Sequence, residues 1–294
     1  MAFPCVILIY HMATLIKSIH DIKDVIAKCE KPLALVPTMG SLHAGHISLI
    51  KAAKNDCKTT IVYIFVNPLQ FGPNEDFKEY PRDLSGDLKT CEANNVDFVF
   101  APEINEIYPN LEEAKKSLIK PPDELSNILC GKSRPDHFSG VATVIKRFFD
   151  IIKPDFAYFG EKDLQQIYII RWLVNEFNLP VSIKSCPTVR EITGLACSSR
   201  NKYLNSDQMI LVASLYKSLK LARENTRSGI FSINKAILES LIFLSQFPEI
   251  KVEYFEARDK ERLAKVPDNT KRGLYYFIAA RIGKIRLIDN IEIL

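Results

Sequence analysis

Residues 37–46 read Pro-Thr-Met-Gly-Ser-Leu-His-Ala-Gly-His, between an apolar run at Leu33 to Val36 and an amphipathic one beginning at Ile47. Leu33 to Pro37 predicts a short buried strand. His46 to Lys54, with Ile47 and Ile50 directed inward, predicts a helix, so the ten residues form a strand-to-helix turn. A helix opening at Gly45 or His46 points free N–H groups and a positive dipole end at that turn, which favours phosphate. Gly40 and Gly45 permit backbone angles and close approach that other residues resist. His43 and His46 are three apart and can face one side of the turn, where they would flank a bound phosphate chain. Three plainer readings compete: half of a metal site, a single satisfied core histidine, and glycines that only punctuate a turn.

Outward from this turn the same alternation recurs. A helix over Asp21 to Cys29 precedes it. Thr59 to Val66 is apolar on both faces, the mark of a parallel strand covered by helices. A helix near Leu84 to Asn94 and a strand over Val96 to Ala101 follow. Val141, Val144, Ile145, Phe148 and Ile152 predict a helix ended by Pro154, and then come a strand (Asp155 to Phe159), a helix (Leu164 to Phe177) and a strand (Val181 to Ser185). The alternation predicts an α/β fold with a Rossmann-like, doubly wound parallel sheet. Past residue 187 the texture changes. Helices near Ser206 to Asn225 and Ser232 to Gln246 are followed by antiparallel strands at Lys251 to Ala257, Leu274 to Arg281 and Lys284 to Asp289. The expected division is therefore 1–187 as a ligand-binding domain and 188–294 as a smaller α+β domain.

The 294 residues are 47% apolar and 25% charged, ordinary globular proportions, with a net charge of +4. Such a mild, unclustered charge speaks against a nucleic-acid footprint. Seven cysteines, none at C-x-x-C spacing, argue against a disulfide framework or structural zinc and for a reducing cytosol. The apolar run Phe3 to Tyr10 is about half a membrane span and has no basic residue before it, so neither a membrane anchor nor a signal peptide is expected. It is either an extension ahead of a start at Met12 or an edge strand.

In an open parallel sheet, ligands collect at the carboxyl ends of the strands. Three more polar stretches fall on that rim. Asn67 and Gln70, in Phe65-Val-Asn-Pro-Leu-Gln70, are uncharged groups suited to hydroxyls and amides, or else turn formers around Pro68. Arg82 reaches a phosphate or caps a helix. Lys162 and Asp163, in Phe159-Gly-Glu-Lys-Asp-Leu-Gln-Gln166, can neutralise phosphate and hold a hydroxyl or a metal; the plain reading is a helix cap at Asp163. Ser198, Ser199 and Arg200 form a compact phosphate grip at the division between the two halves.

Together the runs PTMGSLHAGH, FVNPLQFGPNEDFKEYPR, RPDHFSGVATVIKRFF, FGEKDLQQ and GLACSSRNKYL resemble, in order and spacing, those of the pantothenate synthetases (pantoate–β-alanine ligases), within the H-x-G-H nucleotidyltransferases. The resemblance spans roughly residues 13 to 290. It implies an ATP-dependent condensation of pantoate with β-alanine through pantoyl adenylate, releasing AMP and diphosphate, with Mg²⁺ and a homodimer. It implies that His46, His43 and Lys162 serve catalysis. ATP would meet Met39, Gly40, Ser41, Leu42, His43, Ala44, Gly45 and His46, then Gly160, Glu161, Lys162 and Asp163, then Val189 and Cys197, Ser198, Ser199 and Arg200. Gln70, Gln166 and Asn67 would hold pantoate or β-alanine, and no protein metal ligand is assigned. A mobile cover is expected from the Gly72 to Arg82 loop or the C-terminal domain. Two positions depart from the family pattern. Asp136 stands where glycine is usual beside His137, which is assigned no role. Cys197 stands where Met or Leu is usual, and a thiol there is expected to react with alkylating agents unless ATP shields it. The rival readings are another H-x-G-H nucleotidyltransferase, against which FVNPLQF and FGEKDLQQ speak, and a non-catalytic nucleotide- or RNA-binding module.

Overall fold

In the computed structural model, which describes residues 12–73 and 75–293, the apolar runs of the first half align as one parallel sheet. Its strands are β1 (Thr14–Ile16), β2 (Leu33–Thr38), β3 (Thr59–Ile64), β4 (Phe98–Phe100), β5 (Phe156–Gly160) and β6 (Ser182–Cys186), in the order β1-β4-β3-β2-β5-β6. Between them run α1 (Ile19–Ile26), α2 (Ala44–Asp56) and α3 (Leu84–Ala93). Four short helices follow, α4 (Ile104–Ile107), α5 (Leu111–Lys116), α6 (Asp123–Ser126) and α7 (Leu129–Ser133), before α8 (His137–Ile152) and α9 (Leu164–Glu176).

Alternation along β2 shows why the strands are apolar throughout. Leu33 and Leu35 face a core built with Ile22 of α1, Phe148 of α8 and Ile170 of α9. Ala34 and Val36 face the other way, into a core with Ile50 of α2 and Cys91 of α3. Both faces are covered, so neither can be polar. From β2 the chain steps to β3 and β4 on one side and later to β5 and β6 on the other. The crevice beyond the ends of β2 and β5 is the switch point at which such sheets bind ligands.

The second half contains α10 (Ser206–Arg227), α11 (Ile233–Leu244) and an antiparallel sheet of β7 (Ile250–Asp259), β8 (Leu274–Ile282) and β9 (Ile285–Ile293). Leu219, Ala236, Tyr276 and Ile278 lie in a core of its own, while Phe277 and Leu263 pack into the core of the first half. The fold is thus the expected α/β sheet with a smaller α+β part. Several elements differ from the sequence expectation. β1 and the short helices α4 to α7 were unread, because three to six residues are too few to show a period. The alternative edge strand at Phe3 to Tyr10 lies outside the described residues. α2 opens at Ala44, one residue before Gly45 and two before His46, the expected openings, with His43 as its cap.

α8 starts at His137, not Val141, and its first turns lie against the turn Pro68–Gln70. Gly140 makes that approach possible: a Cβ there would come within 2.1 Å of the Leu69 carbonyl oxygen. Gly140→Ala must push helix and turn apart, an overpacking cost of about 1–3 kcal/mol. A lower Tm in thermal melts is the expected outcome, and an unchanged Tm would show that the turn yields freely.

Candidate active site

The loop after β2 is held by its neighbours rather than by local preference. The Thr38 hydroxyl donates to the Tyr63 carbonyl (2.9 Å) and accepts the Gly40 N–H (3.1 Å). Gly40 (φ +81°) and Ser41 (φ +53°) both take left-handed angles. For a non-glycine residue that conformation costs roughly 1 kcal/mol. Asp87 of α3 offsets it by accepting the N–H groups of Ser41 (2.8 Å) and Leu42 (2.7 Å) in two charge-assisted bonds. Burial pushes the Asp87 carboxyl above its ordinary pKa, and the same two bonds oppose that rise.

The helix start fixes both imidazoles. His43 Nδ1 accepts the Gly45 N–H (3.1 Å), and His46 Nδ1 accepts the His43 N–H (3.3 Å), a reciprocal cap. Each Nδ1 is therefore an acceptor, and the ring proton sits on Nε2. The rings lie 4.1 Å apart, centroid to centroid. Gly45 is required because a Cβ there would meet His43 Cε1 at 2.9 Å. Burial lowers His43 to about 4, with Lys162 adding to the fall. Burial, then His43, then Lys162 hold His46 well below the ordinary histidine value. The pair thus presents two neutral N–H donors rather than two cations. Protonation is favoured in the unfolded chain, so these rings contribute stability above about pH 6.5 that is lost as pH falls toward 4.

Gln70 comes from the turn after β3. Its Nε2 donates to Met39 Sδ (3.3 Å), and its Oε1 accepts from Asn67 Nδ2 (3.1 Å). Asn67 also donates to the Gly140 carbonyl and accepts from Tyr108 Oη, each at 3.1 Å, and from the Leu69 N–H at 3.3 Å. At 1% exposure its amide is fully engaged by protein groups, and it holds the Gln70 side chain in place. Of the paired glutamines, Gln165 is buried and bonded to the backbone of Leu125, Ile128 and Cys130; Gln166 faces the cleft. After β5, the turn Glu161–Asp163 is clamped from above: Asn290 of β9 donates to the carbonyls of Glu161 (2.8 Å) and Lys162 (3.1 Å). Asp163 stands at the cap position of α9 yet makes no cap bond. Lys162 Nζ lies 3.7 Å from its carboxylate.

These side chains face one crevice with about 1270 Å³ of open space, solvent mouth included. Met39, His43, Gly45, His46, Gln70, Gly160, Lys162, Asp163, Gln166, Val189 and the run Cys197 to Arg200 line it. Gly40, Ser41, Leu42, Ala44, Glu161 and Asn67 do not; they shape the loops behind the wall. Sequence reasoning missed Tyr80, Arg134, His137 and Thr188 on the wall and Asp87 behind it. Arg82 donates to its own loop, the carbonyls of Phe77, Lys78 and Tyr80, and does not line the crevice. Arg200 is not an open grip: it forks onto Asp76 (2.8 and 3.0 Å). The expected reactivity of Cys197 is corrected too. Its thiol is buried, donates to Glu191 (3.4 Å), and burial with that carboxylate pushes it up to about 11.

A sequence model of the family described as pantoate-beta-alanine ligase matches residues 13–292. The chain belongs to the pantoate–β-alanine ligase family. The pantothenate synthetase of Thermosipho melanesiensis is 46% identical over 280 residues, 94% of this chain and 98% of that one. The bifunctional pantoate ligase/cytidylate kinase of a Synechococcus species is 45% identical over 260 residues, 88% of this chain but 48% of the relative. This chain therefore spans about half of such two-function relatives and nearly all of the single-function ones. Among solved structures, pantothenate synthetase from Thermus thermophilus matches with a TM-score of 0.89 at 36% identity, covering 95% of this chain and 99% of that one. Pantoate-beta-alanine ligase from Francisella tularensis, complexed with beta-gamma ATP and beta-alanine, matches with 0.79 at 36% identity, covering 95% and 97%.

Two outcomes follow for this ligase-family site. The pH profile of kcat/KM should show no limb from a histidine between pH 6 and 8; a limb near 6.5 would mean that a site imidazole works charged. Cys197 should label with iodoacetamide no faster without ATP than with it, read by peptide mass mapping at neutral pH, because almost no thiolate is present.

Proposed function

We propose that this chain joins pantoate to β-alanine in two steps: pantoate attacks the α-phosphorus of ATP to give pantoyl adenylate and diphosphate, then the amine displaces AMP. The observation that supports this most directly is the convergence of two neutral imidazole donors, Lys162, and the Ser198 to Arg200 run beside Gln70 and Gln166 at the sheet's switch point.

Oxide cannot leave a carboxylate, so activation as a mixed anhydride makes the amide accessible. Pantoate is ionised at neutral pH and needs no general base for its attack. It needs alignment with a second anion and donors where charge develops on phosphate oxygens. In this reading His43 and His46 supply Nε2–H donors, Lys162 a cation, and Ser198 and Ser199 hydroxyls. Since each Nδ1 is occupied by a backbone N–H, neither imidazole takes the amine proton in the second step. The triphosphate competes with Asp76 for Arg200, and displacing Asp76 would loosen the 72–82 loop, which Tyr203 also ties by its bond to the Glu79 carbonyl (2.8 Å). That loop and the 188–294 part would serve as the cover that keeps water from the adenylate.

Mg²⁺ fits this site as an ion held chiefly by phosphate oxygens. Among the described residues no three His, Cys, Asp or Glu gather as a metal cage, and Asp163 is the one described carboxylate on the crevice wall. Bound there, the ion would neutralise charge on the phosphates. No described helix is long and apolar enough to cross a membrane, and the six described cysteines are free. This reading includes a cytosolic setting and a homodimer.

Diphosphate release from ATP should require pantoate, and AMP release should require β-alanine as well; release with a nucleotide or phospho-sugar in place of pantoate would favour another nucleotidyltransferase. His46→Ala and Lys162→Ala should each remain folded by circular dichroism and lose about 10² or more in kcat. Near-normal turnover in either would remove that residue from the mechanism.

A further inference from the structure

His137 and Arg134 lie on the crevice wall, and nothing in the reaction outlined above uses them. Their hydrogen bonds form an unbroken chain. Arg134 forks onto Glu75 of the 72–82 loop, Nε to Oε1 at 2.6 Å and Nη2 to Oε2 at 2.7 Å. Its Nη1 lies 2.9 Å from His137 Nε2. A guanidinium can only donate, so Nε2 is the acceptor and the imidazole proton resides on Nδ1. That proton meets the Gln70 carbonyl oxygen at 2.8 Å. The direction of every bond is thereby set: Arg134 donates both to the loop carboxylate and to His137, and His137 donates to the backbone of the residue aimed at the substrate. The tautomer is opposite to that of His43 and His46, so His137 serves the scaffold and not the phosphates. The other side of the same turn is fixed by Asn67 and by the Gly140 approach, and the Gln70 carbonyl takes a second, longer bond from Arg134 Nη2 (3.4 Å), so that oxygen is the face that His137 and Arg134 hold together.

We infer that Glu75, Arg134 and His137 form a positioning relay that sets the Gln70 turn for pantoate and couples that pocket to the loop over the crevice. The inference rests on the function proposed above. A positioning role differs from a packing role in what it moves. Loss of the relay should weaken the hydroxy-acid pocket and leave the phosphate side, built on the β2 and β5 turns, nearly untouched.

The experiment measures diphosphate release with pantoate and ATP varied separately. Wild type first tests the reaction itself: without pantoate-dependent release the proposed function fails, whatever the variants do. Given that release, His137→Ala should raise the KM for pantoate at least tenfold and that for ATP less than threefold. His137→Asn, whose amide N–H can replace the Nδ1 donor, should recover much of the loss. Should His137→Ala not fold, Glu75→Gln decides, with the same selectivity expected at a smaller size of three- to tenfold. A pantoate KM within twofold of wild type in the decisive variant, a parallel rise of both KM values, or an Asn variant no better than Ala would overturn the relay.

Discussion

The reversal of strand order between β2 and β5 is the constraint on which the site depends. A sheet that grows in one direction closes each strand end with the next crossover. This sheet grows both ways from β2, so the ends of β2 and β5 diverge and leave a crevice that no helix fills. The two turns that carry the densest chemistry, Thr38 to His46 and Gly160 to Gln166, are those leaving the two strands at this point. The second half completes the crevice from above, with Asn290 of β9 holding the Lys162 turn through two carbonyls.

Within this frame the site separates donors from charges. One part of the wall is neutral: two imidazoles whose single protons are directed by backbone N–H groups at their other nitrogens. The two guanidinium groups on the wall are matched in advance, Arg134 by Glu75 and Arg200 by Asp76. Both acids belong to the 72–82 loop, so the order of that loop depends on the guanidinium groups that face the crevice.

Much of this was legible in the chain. Long apolar runs and helical spacing gave the sheet and its large helices, because both faces of the central strands must be buried. The rim stretches were legible because strand ends fix where loops converge. What was not legible is the support behind the wall. Asp87 is 46 residues from Ser41 and meets it through a backbone N–H, a contact with no residue-type signature. His137 reaches Gln70 across 67 residues, again through a carbonyl. Asn67 reads in the sequence as an amide on the rim, and its four bonds to neighbouring protein groups were not legible there. Cys197 looked reactive by position, whereas Glu191 and burial keep it a thiol. Asp136 stands at φ +59°, left-handed backbone that suits the glycine usual there and that Asp tolerates better than most residues.

The pairing of charges bears on how such a crevice tells its ligands apart. An unpaired cluster of three cations would attract any anion, and in a partly buried cleft it would also carry a large desolvation penalty. Here each guanidinium already has a carboxylate partner, and Lys162 has only the looser contact of 3.7 Å. An incoming anion therefore gains net attraction chiefly at Lys162, and elsewhere it must replace an existing carboxylate with equal or better geometry. A lone carboxylate gains little by that exchange with Asp76. In the proposed reading a polyphosphate, with many oxygens spaced along a chain, would meet Arg200, Lys162 and the two imidazole donors together. On that reading selection would rest on the number and spacing of oxygens rather than on gross charge, which agrees with a chain whose net charge is only +4.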